Sequence, residues 1–358
     1  MDIKVPASEL NRMMKTIVQC IDQKGTCNLS NIEVTHANNL LTIRGTNSIV
    51  SAVMSTPLLG ESGKGFCVDG MMFARVCSMC SGDITIITDG KTCTVKGAGR
   101  TRIPIVNAEI PAYEEVNGKT FTAVDVFLSS TYNSVAFALS TDQSRVIFTG
   151  VLTEIGADGI LHMRALDGFR MAVENMMTDC HEEISVIIPG PFMKLLTSCT
   201  AYADDSVQFV TDGKRIQAST PDMKLCIPLL SGAFPDKNAI VPKKFATEVL
   251  VNAEQLRNAL KCGSVVNNKN NLVKLEIAGD KVTVTSNSEE ADFDAEVPCE
   301  IHGPALNIAF NHKYLMETIN SISADEIILK FNMSHNPCII CSKDSGGFRL
   351  LLPVRIAG

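Results

Sequence analysis

The chain has 358 residues, of which 45% are hydrophobic and 20% charged, and a formal net charge of −7. That length exceeds a single ordinary core and predicts two or three domains of a soluble globular protein. The acidic balance excludes a uniformly basic nucleic-acid binder, although it leaves room for a local basic surface.

The first segment, IKVPASELNRMMKTI, reads as a short strand running into an amphipathic helix. The pattern returns as FCVDGMMFARVCSM, FTAVDVFLSSTYNSV, VIIPGPFMKLLTS, VLVNAEQLRNAL and IAFNHKYLMETINSI. With the last strand residue as anchor, the repeats fall at Val5, Val68, Ala123, Ile188, Val251 and Phe310, spaced 55 to 65 residues apart. After each helix the period drops to two. ITIITDGKTCTVKG turns at Asp89-Gly90 and VQFVTDGKRIQAS at Asp212-Gly213, dipeptides suited to tight hairpins. LVKLEIAGDKVTVTS and EIILKFNMSHNPCIICS follow in the last third. Each unit therefore predicts a strand, a helix and about three more strands. Two units per domain give an α+β chain of three similar domains, 1–118, 119–243 and 244–358. The boundaries lie near YEEVNGK and GAFPDKNAIVPKK. A half-covered sheet leaves its edges open, so pairing between the sheets of successive domains is expected, and a second copy could close the arc into a ring.

The usual signatures of catalysis and metal binding do not emerge. The histidines at 36, 162, 181, 302, 312 and 335 have no metal-ligand spacing. Cys77-Ser-Met-Cys80 is a lone pair on a helix whose Met72, Val76 and Met79 look like core, which points to structural thiols. Thirteen cysteines, scattered through apolar segments, fit reduced buried thiols of a cytoplasmic protein. GESGKG is too short for a phosphate loop and reads as a surface turn. No apolar run approaches the roughly 18 residues of a bilayer span. Residues 1–20 lack the apolar core of a secretory signal. No enzyme, cofactor, metal or membrane role is expected.

Charge is distributed unevenly. The helical windows hold Arg12, Lys15, Arg75, Lys194, Arg257, Lys261 and Lys313 against Glu9, Asp125, Glu254 and Glu317. A helix layer more basic than the rest of an acidic chain is what a phosphate-facing surface shows, although solvated helix faces give the same count. LHMRALDGFRMAV (161–173) places Asp167-Gly168 at a turn and Arg170 in an apolar setting. The turns read as parallel to it carry Lys91 and Lys214 instead of arginine.

Taken in order, four stretches carry a resemblance over the whole chain to one family, the bacterial DNA sliding clamps (beta subunit of DNA polymerase III). ALDGFRMAV is similar to the family's Thr-Asp-Gly-His-Arg-Leu-Ala. SGAFPDKNAIVP is similar to its Arg-Phe-Pro-Asp-Tyr linker, FNHKYLMETINSI to its Phe-Asn-x-x-Tyr-Leu helix, and LLLPVRI to its C-terminal ending. The resemblance implies a head-to-tail homodimeric ring, helices inside and sheets outside. Such a ring encircles double-stranded DNA without reading sequence and serves as a replication processivity factor. The implied partners are the replicative DNA polymerase, the clamp loader and other clamp-binding-motif proteins.

The resemblance also implies a hydrophobic peptide pocket between the second and third domains. Its lining would be Phe148, Leu166, Gly168, Phe169, Arg170, Met171, Pro235, Ile240, Asn311, Tyr314, Leu350, Leu351, Leu352, Pro353, Val354 and Arg355. Each aliphatic member, taken alone, reads as core before it reads as pocket. Arg170 and Arg355 stand out, because arginine in apolar surroundings needs a partner. Lys24, Arg12, Lys15, Arg75, Lys194, Arg257 and Lys261 are the expected DNA-facing residues, with Arg100, Arg102 and Arg145 further candidates. Ile103 and Ile105 would meet Val265 and Val266 of the second copy, and Pro104 removes one backbone donor from that edge. Departures from the family pattern are Phe169 for histidine, Ala239 for arginine, Met71 and Met72 for a basic pair, Asn270 near an expected aromatic, and Ala357 and Gly358 beyond the usual end. The competing expectations are a clamp-fold peptide-binding scaffold without DNA loading and a hydrolase on a repeat scaffold.

Overall fold

In a computed structural model of the chain, the structure describes residues 1–24, 28–200, 206–266, 271–343 and 346–355. Asn270, Ala357 and Gly358 lie outside them. Among the described residues the strand–helix–three-strand unit occurs six times. The first unit is β1 (Asp2–Pro6), α1 (Ala7–Ile17), β2 (Asn31–Ala37), β3 (Leu40–Thr46) and β4 (Ser51–Pro57). The second is β5 (Gly63–Asp69), α2 (Gly70–Ser78), β6 (Asp83–Thr88), β7 (Thr92–Lys96) and β8 (Arg100–Pro104). The third is β9 (Lys119–Val124), α3 (Asp125–Ala136), β10 (Gly150–Ile155), β11 (Ile160–Leu166) and β12 (Arg170–Met177). The fourth is β13 (Ile184–Pro189), α4 (Gly190–Cys199), β14 (Ser206–Thr211), β15 (Arg215–Thr220) and β16 (Met223–Pro228). After a short linker helix, α5 (Lys237–Ile240), the fifth is β17 (Thr247–Asn252), α6 (Ala253–Gly263), β18 (Leu272–Ala278), β19 (Lys281–Asn287) and β20 (Asp292–His302). The sixth is β21 (Leu306–Asn311), α7 (His312–Asn320), β22 (Glu326–Phe331), β23 (Cys338–Ser342) and β24 (Phe348–Leu351).

Each of the six long helices begins two residues after its anchor. At three of them, α2, α6 and α7, the switch from strand to helix is marked by a polar capping residue at the boundary. Asp69 accepts the N–H of Met72 at 2.7 Å, Asn252 that of Gln255 at 2.9 Å, and Asn311 that of Tyr314 at 3.2 Å. Each bond satisfies a first-turn donor that has no partner inside the helix.

The chain forms two compact units. One comprises residues 1–126, 178–180 and 191–229. It holds a four-stranded sheet, β1-β6-β7-β8, and an eight-stranded sheet, β5-β2-β3-β4-β16-β15-β14-β9. The other comprises residues 127–177, 181–190 and 230–358 and holds a twelve-stranded sheet, β13-β10-β11-β12-β24-β23-β22-β17-β20-β19-β18-β21. The expected pairing between sheets is present within each unit, as β4 with β16 and as β12 with β24, both antiparallel. Strand alternation sends one set of side chains into the core. Leu256 and Leu260 of α6 and Leu315 and Ile319 of α7 pack with Val273, Leu275, Val282, Val284, Ile327 and Leu329. Phe310 and Phe331 are fully buried there, each contributing roughly 1.5–3 kcal/mol.

The thiols behave as structural groups. Burial pushes Cys20, Cys77 and Cys93 up to about 12, far from the reactive thiolate range. Among the described residues, no helix is long and apolar enough to cross a membrane.

The reading of the Asp-Gly turns needs correction. The turn at 167–168 joins the second and third strands after its helix, whereas those at 89–90 and 212–213 join the first and second. Arginine is also not unique to it. Arg215 stands three residues after Asp212, as Arg170 does after Asp167, and both bond back to their aspartates.

Candidate functional site

The β11–β12 turn is built by one carboxylate. Asp167 Oδ1 accepts the backbone N–H of Phe169 at 2.8 Å and of Arg170 at 2.9 Å, and Oδ2 accepts Arg170 Nε at 2.9 Å. Gly168 between them has φ of +95°, a conformation that favours glycine. The turn fixes the start of the Arg170 side chain, and the rest is held from α7. Its guanidinium donates to Glu317 and lies 4.4 Å from the Tyr314 ring centroid and 5.2 Å from that of Phe137. Arg170 is 8% exposed, so two carboxylates and two ring faces replace the water it loses.

Register divides the expected pocket between two faces of the sheet. Arg170 pairs with Leu351 and Met171 with Leu350, and neighbours along a strand point to opposite sides. Arg170, Tyr314 and Leu351 lie on the helix side, where Asn311 caps α7. Leu166, Met171 and Leu350 lie on the other side with Val173 and Ile339, packed against Phe148, Phe234, Val241, Phe245 and Phe348. Between the faces runs an apolar rim. Phe169 is 58% exposed with its ring 5.7 Å from Tyr314, and Leu352 and Val354 are 37% and 38% exposed; Ile240, on α5, is 37% exposed. The tail is tied down by its backbone: Leu352 N–H donates to the Phe169 carbonyl at 2.9 Å and Val354 N–H to that of Ala309 at 2.8 Å. Pro353 is half-buried.

The linker completes the wall. Arg164 donates to the Pro235 carbonyl at 2.8 Å and to Glu154 at 2.6 Å, and Phe234 sits edge-on to Phe148 at 5.9 Å. The matching row in the other unit is polar. The successive cross-strand neighbours Leu166, Met171, Leu350 and Ile339 correspond there to Thr46, Ser51, Cys226 and Gln217. Gln217 accepts the Val116 N–H of the first linker at 3.2 Å. The repeat thus makes the same junction twice, and residue choice gives the β12–β24 junction the apolar one.

Sequence reasoning missed four buried or half-buried members: Glu317, Phe234, and the arginines 164 and 349. The rule applied to Arg170, that a buried arginine must have partners, would have found the arginines had inward positions been assigned strand by strand. Arg349 is 2% exposed. It donates to Glu174 at 2.9 Å, to Ser321 Oγ at 2.9 Å and to the Val173 carbonyl at 2.9 Å. Burial pulls its basicity down against the upward pull of Glu174. Arg355 is the converse correction: it is exposed rather than held in apolar surroundings.

The expected DNA-facing residues do not form one class. Lys15, Arg75, Lys194 and Lys261 are exposed on their helices, and Lys24 is exposed after α1. Arg12 is engaged by Glu9 and Asp222, and Arg257 donates to the Ile322 carbonyl at 2.6 Å. Arg100 and Arg102 are exposed on β8, as is Arg145 before β10. Of the residues expected at a dimer contact, Val265 is 86% exposed and Val266 and Ile105 half-buried, while Ile103 is 2% exposed within its own core. Among the described residues no group of three histidine, cysteine, aspartate or glutamate side chains could hold a metal ion.

Residues 124–236 match the central domain of the DNA polymerase III beta subunit, and residues 238–355 its C-terminal domain. The beta sliding clamp of Bacillus subtilis (strain 168) is 30% identical over 239 residues, covering 64% of this chain and 62% of that protein, just under two thirds of its length. The beta sliding clamp of Lactococcus lactis is 27% identical over 282 residues, covering 75% and 72%. Among solved structures, the sliding clamp of Pseudomonas aeruginosa bound to griselimycin superposes with a TM-score of 0.94 at 22% identity, covering 99% of this chain and all of that one. The beta subunit of Thermotoga maritima does so with 0.88 at 24%, covering 99% and 100%. At those identities the likeness speaks for the fold, and the matched domains carry the rest: the chain belongs to the DNA polymerase III beta subunit family.

Proposed function

We propose that this chain is a DNA sliding clamp, a replication processivity factor that closes with a second copy into a ring around duplex DNA. It has no catalytic task and works in the cytoplasm. It tethers the replicative polymerase, its loader and other partners through the apolar site at the β12–β24 junction. The observation that carries this reading is that site: an apolar cluster with exposed Phe169, Leu352 and Val354 at its rim, set beside a buried, fully partnered arginine. Concave apolar sites with a few fixed polar groups suit the leucine and phenylalanine anchors of a short peptide. Division into clamp domains at 1–118, 119–243 and 244–358 belongs to the same proposal, as do dimer contacts through the β8 edge, Ile105 and Val265–Val266.

Exposed Lys15, Lys24, Arg75, Lys194 and Lys261 supply the weak, sequence-independent phosphate contacts that sliding requires. Retention on circular plasmid, lost when the plasmid is linearised, is the expected outcome. Equal retention of both forms defeats the topological mechanism. Peptide binding with no retention on either form favours a scaffold without DNA loading.

A further inference from the structure

A cleft on the helix side of the β12–β24 junction plays no part in the peptide site. It is a cavity of about 380 Å³ within one compact unit, in the range of ligand pockets, roughly 300–1,000 Å³. Hydroxyls and an amide dominate its polar lining, through Ser130, Ser134, Ser323 and Asn175, and Phe127 and Met177 stand at its edge. Phe127 is 61% exposed and Met177 71%. Its charges are spent. Arg349 makes hydrogen bonds from all three of its nitrogens and pairs with Glu174. The cleft therefore has no free ion-pairing group for a small anion or cation among the described residues.

The first junction is filled differently. Seven residues after its anchor, α1 carries Arg12, which bridges to Asp222, and four residues after it stands Glu9. At the same two positions α3 carries Ser130 and Phe127. The corresponding cavity beside Arg12 and Asp222 is about 170 Å³. With a serine and a phenylalanine at the helix positions that carry Arg12 and Glu9 in the first junction, the cleft is left open, and the charges in its lining, Arg349 and Glu174, are paired with each other. α3 also has no lysine or arginine, so it has nothing to offer a phosphate.

We propose that this cleft takes an unpaired base of single-stranded DNA, stacked on Phe127 with its polar edge on the serine hydroxyls and the Asn175 amide. Aromatic stacking accepts any base, because every base has a π-face. The inference rests on the reading of the chain as a DNA clamp.

The test uses the full chain and a short single-stranded oligodeoxynucleotide carrying 2-aminopurine, with the same strand annealed to its complement as control. The single strand is expected to lose fluorescence on binding and the duplex to be unaffected. Phe127→Ala should weaken binding about tenfold and Phe127→Tyr restore it. Equal binding by wild type and Phe127→Ala, or equal quenching of the duplex, overturns the proposal. Loss of retention on circular duplex by the wild type would fell the clamp reading instead. Retention without a base signal fells this inference alone.

Discussion

Replacing Arg170 by alanine is expected to destabilise the chain by about 3 kcal/mol and to abolish measurable peptide binding together. Removing one member of a buried ion pair costs roughly 3–5 kcal/mol, because the partner's charge stays behind. Here the Asp167 carboxylate is 11% exposed and that of Glu317 36%, and water reaching Glu317 sets the expectation at the low end. The Tyr314 and Phe137 rings lose their cation as well. The turn keeps its backbone bonds to Asp167 but loses its side-chain anchor to α7, beside which the Phe169 ring sits. Arg170→Lys keeps the charge but not the planar fork that spans Asp167 and Glu317, so it should recover less than half of the loss. Urea unfolding followed alongside anisotropy of a labelled peptide with leucine and phenylalanine anchors separates the two effects. A variant that unfolds like the wild type contradicts the geometry described for Arg170.

Deleting Leu352–Gly358 is expected to weaken the same peptide at least about 25-fold while leaving self-association unchanged. The tail contributes two half-exposed aliphatic side chains to the rim and two backbone N–H groups, bonded to Phe169 and Ala309. Loss of a central apolar wall is worth about 2 kcal/mol or more at an interface hot spot, and each 1.4 kcal/mol is tenfold in affinity. The expected dimer residues, Ile105, Val265 and Val266, lie elsewhere in sequence and outside the deleted stretch. Sedimentation should therefore report the same mass as wild type. Undiminished peptide binding would move the site away from this rim.

Much of the fold was legible because the period changes locally in each unit and three units mark the helix start with a capping residue. Asp69, Asn252 and Asn311 cap the helix that follows, and the change of period from two to 3.6 is local. Which strand edges meet is not local. Nothing in the alternation of β4 or β12 specifies β16 or β24 as a neighbour, and only the need to satisfy open edges pointed to pairing at all. The site was legible as a set but not as a surface. Arg170 and Met171 are adjacent in a strand, so they could not line one wall, and the structure duly puts them on opposite faces. Arg164 and Arg349 were overlooked because arginine at an alternating position reads as solvent-facing, whereas Glu154, Glu174 and backbone carbonyls from distant segments neutralise them inside.

The ladder between β12 and β24 has a consequence for how the polypeptide is wired. Four residue pairs, Arg170–Leu351 to Val173–Phe348, bind segments from either side of the 229–246 linker, and Arg349 and the Leu166–Met171–Leu350 cluster reinforce them. Covalent continuity through the exposed Asn238–Ile240 stretch is therefore dispensable for holding that unit together. New termini could be opened there, or a single cleavage tolerated, with the two fragments remaining one assembled body.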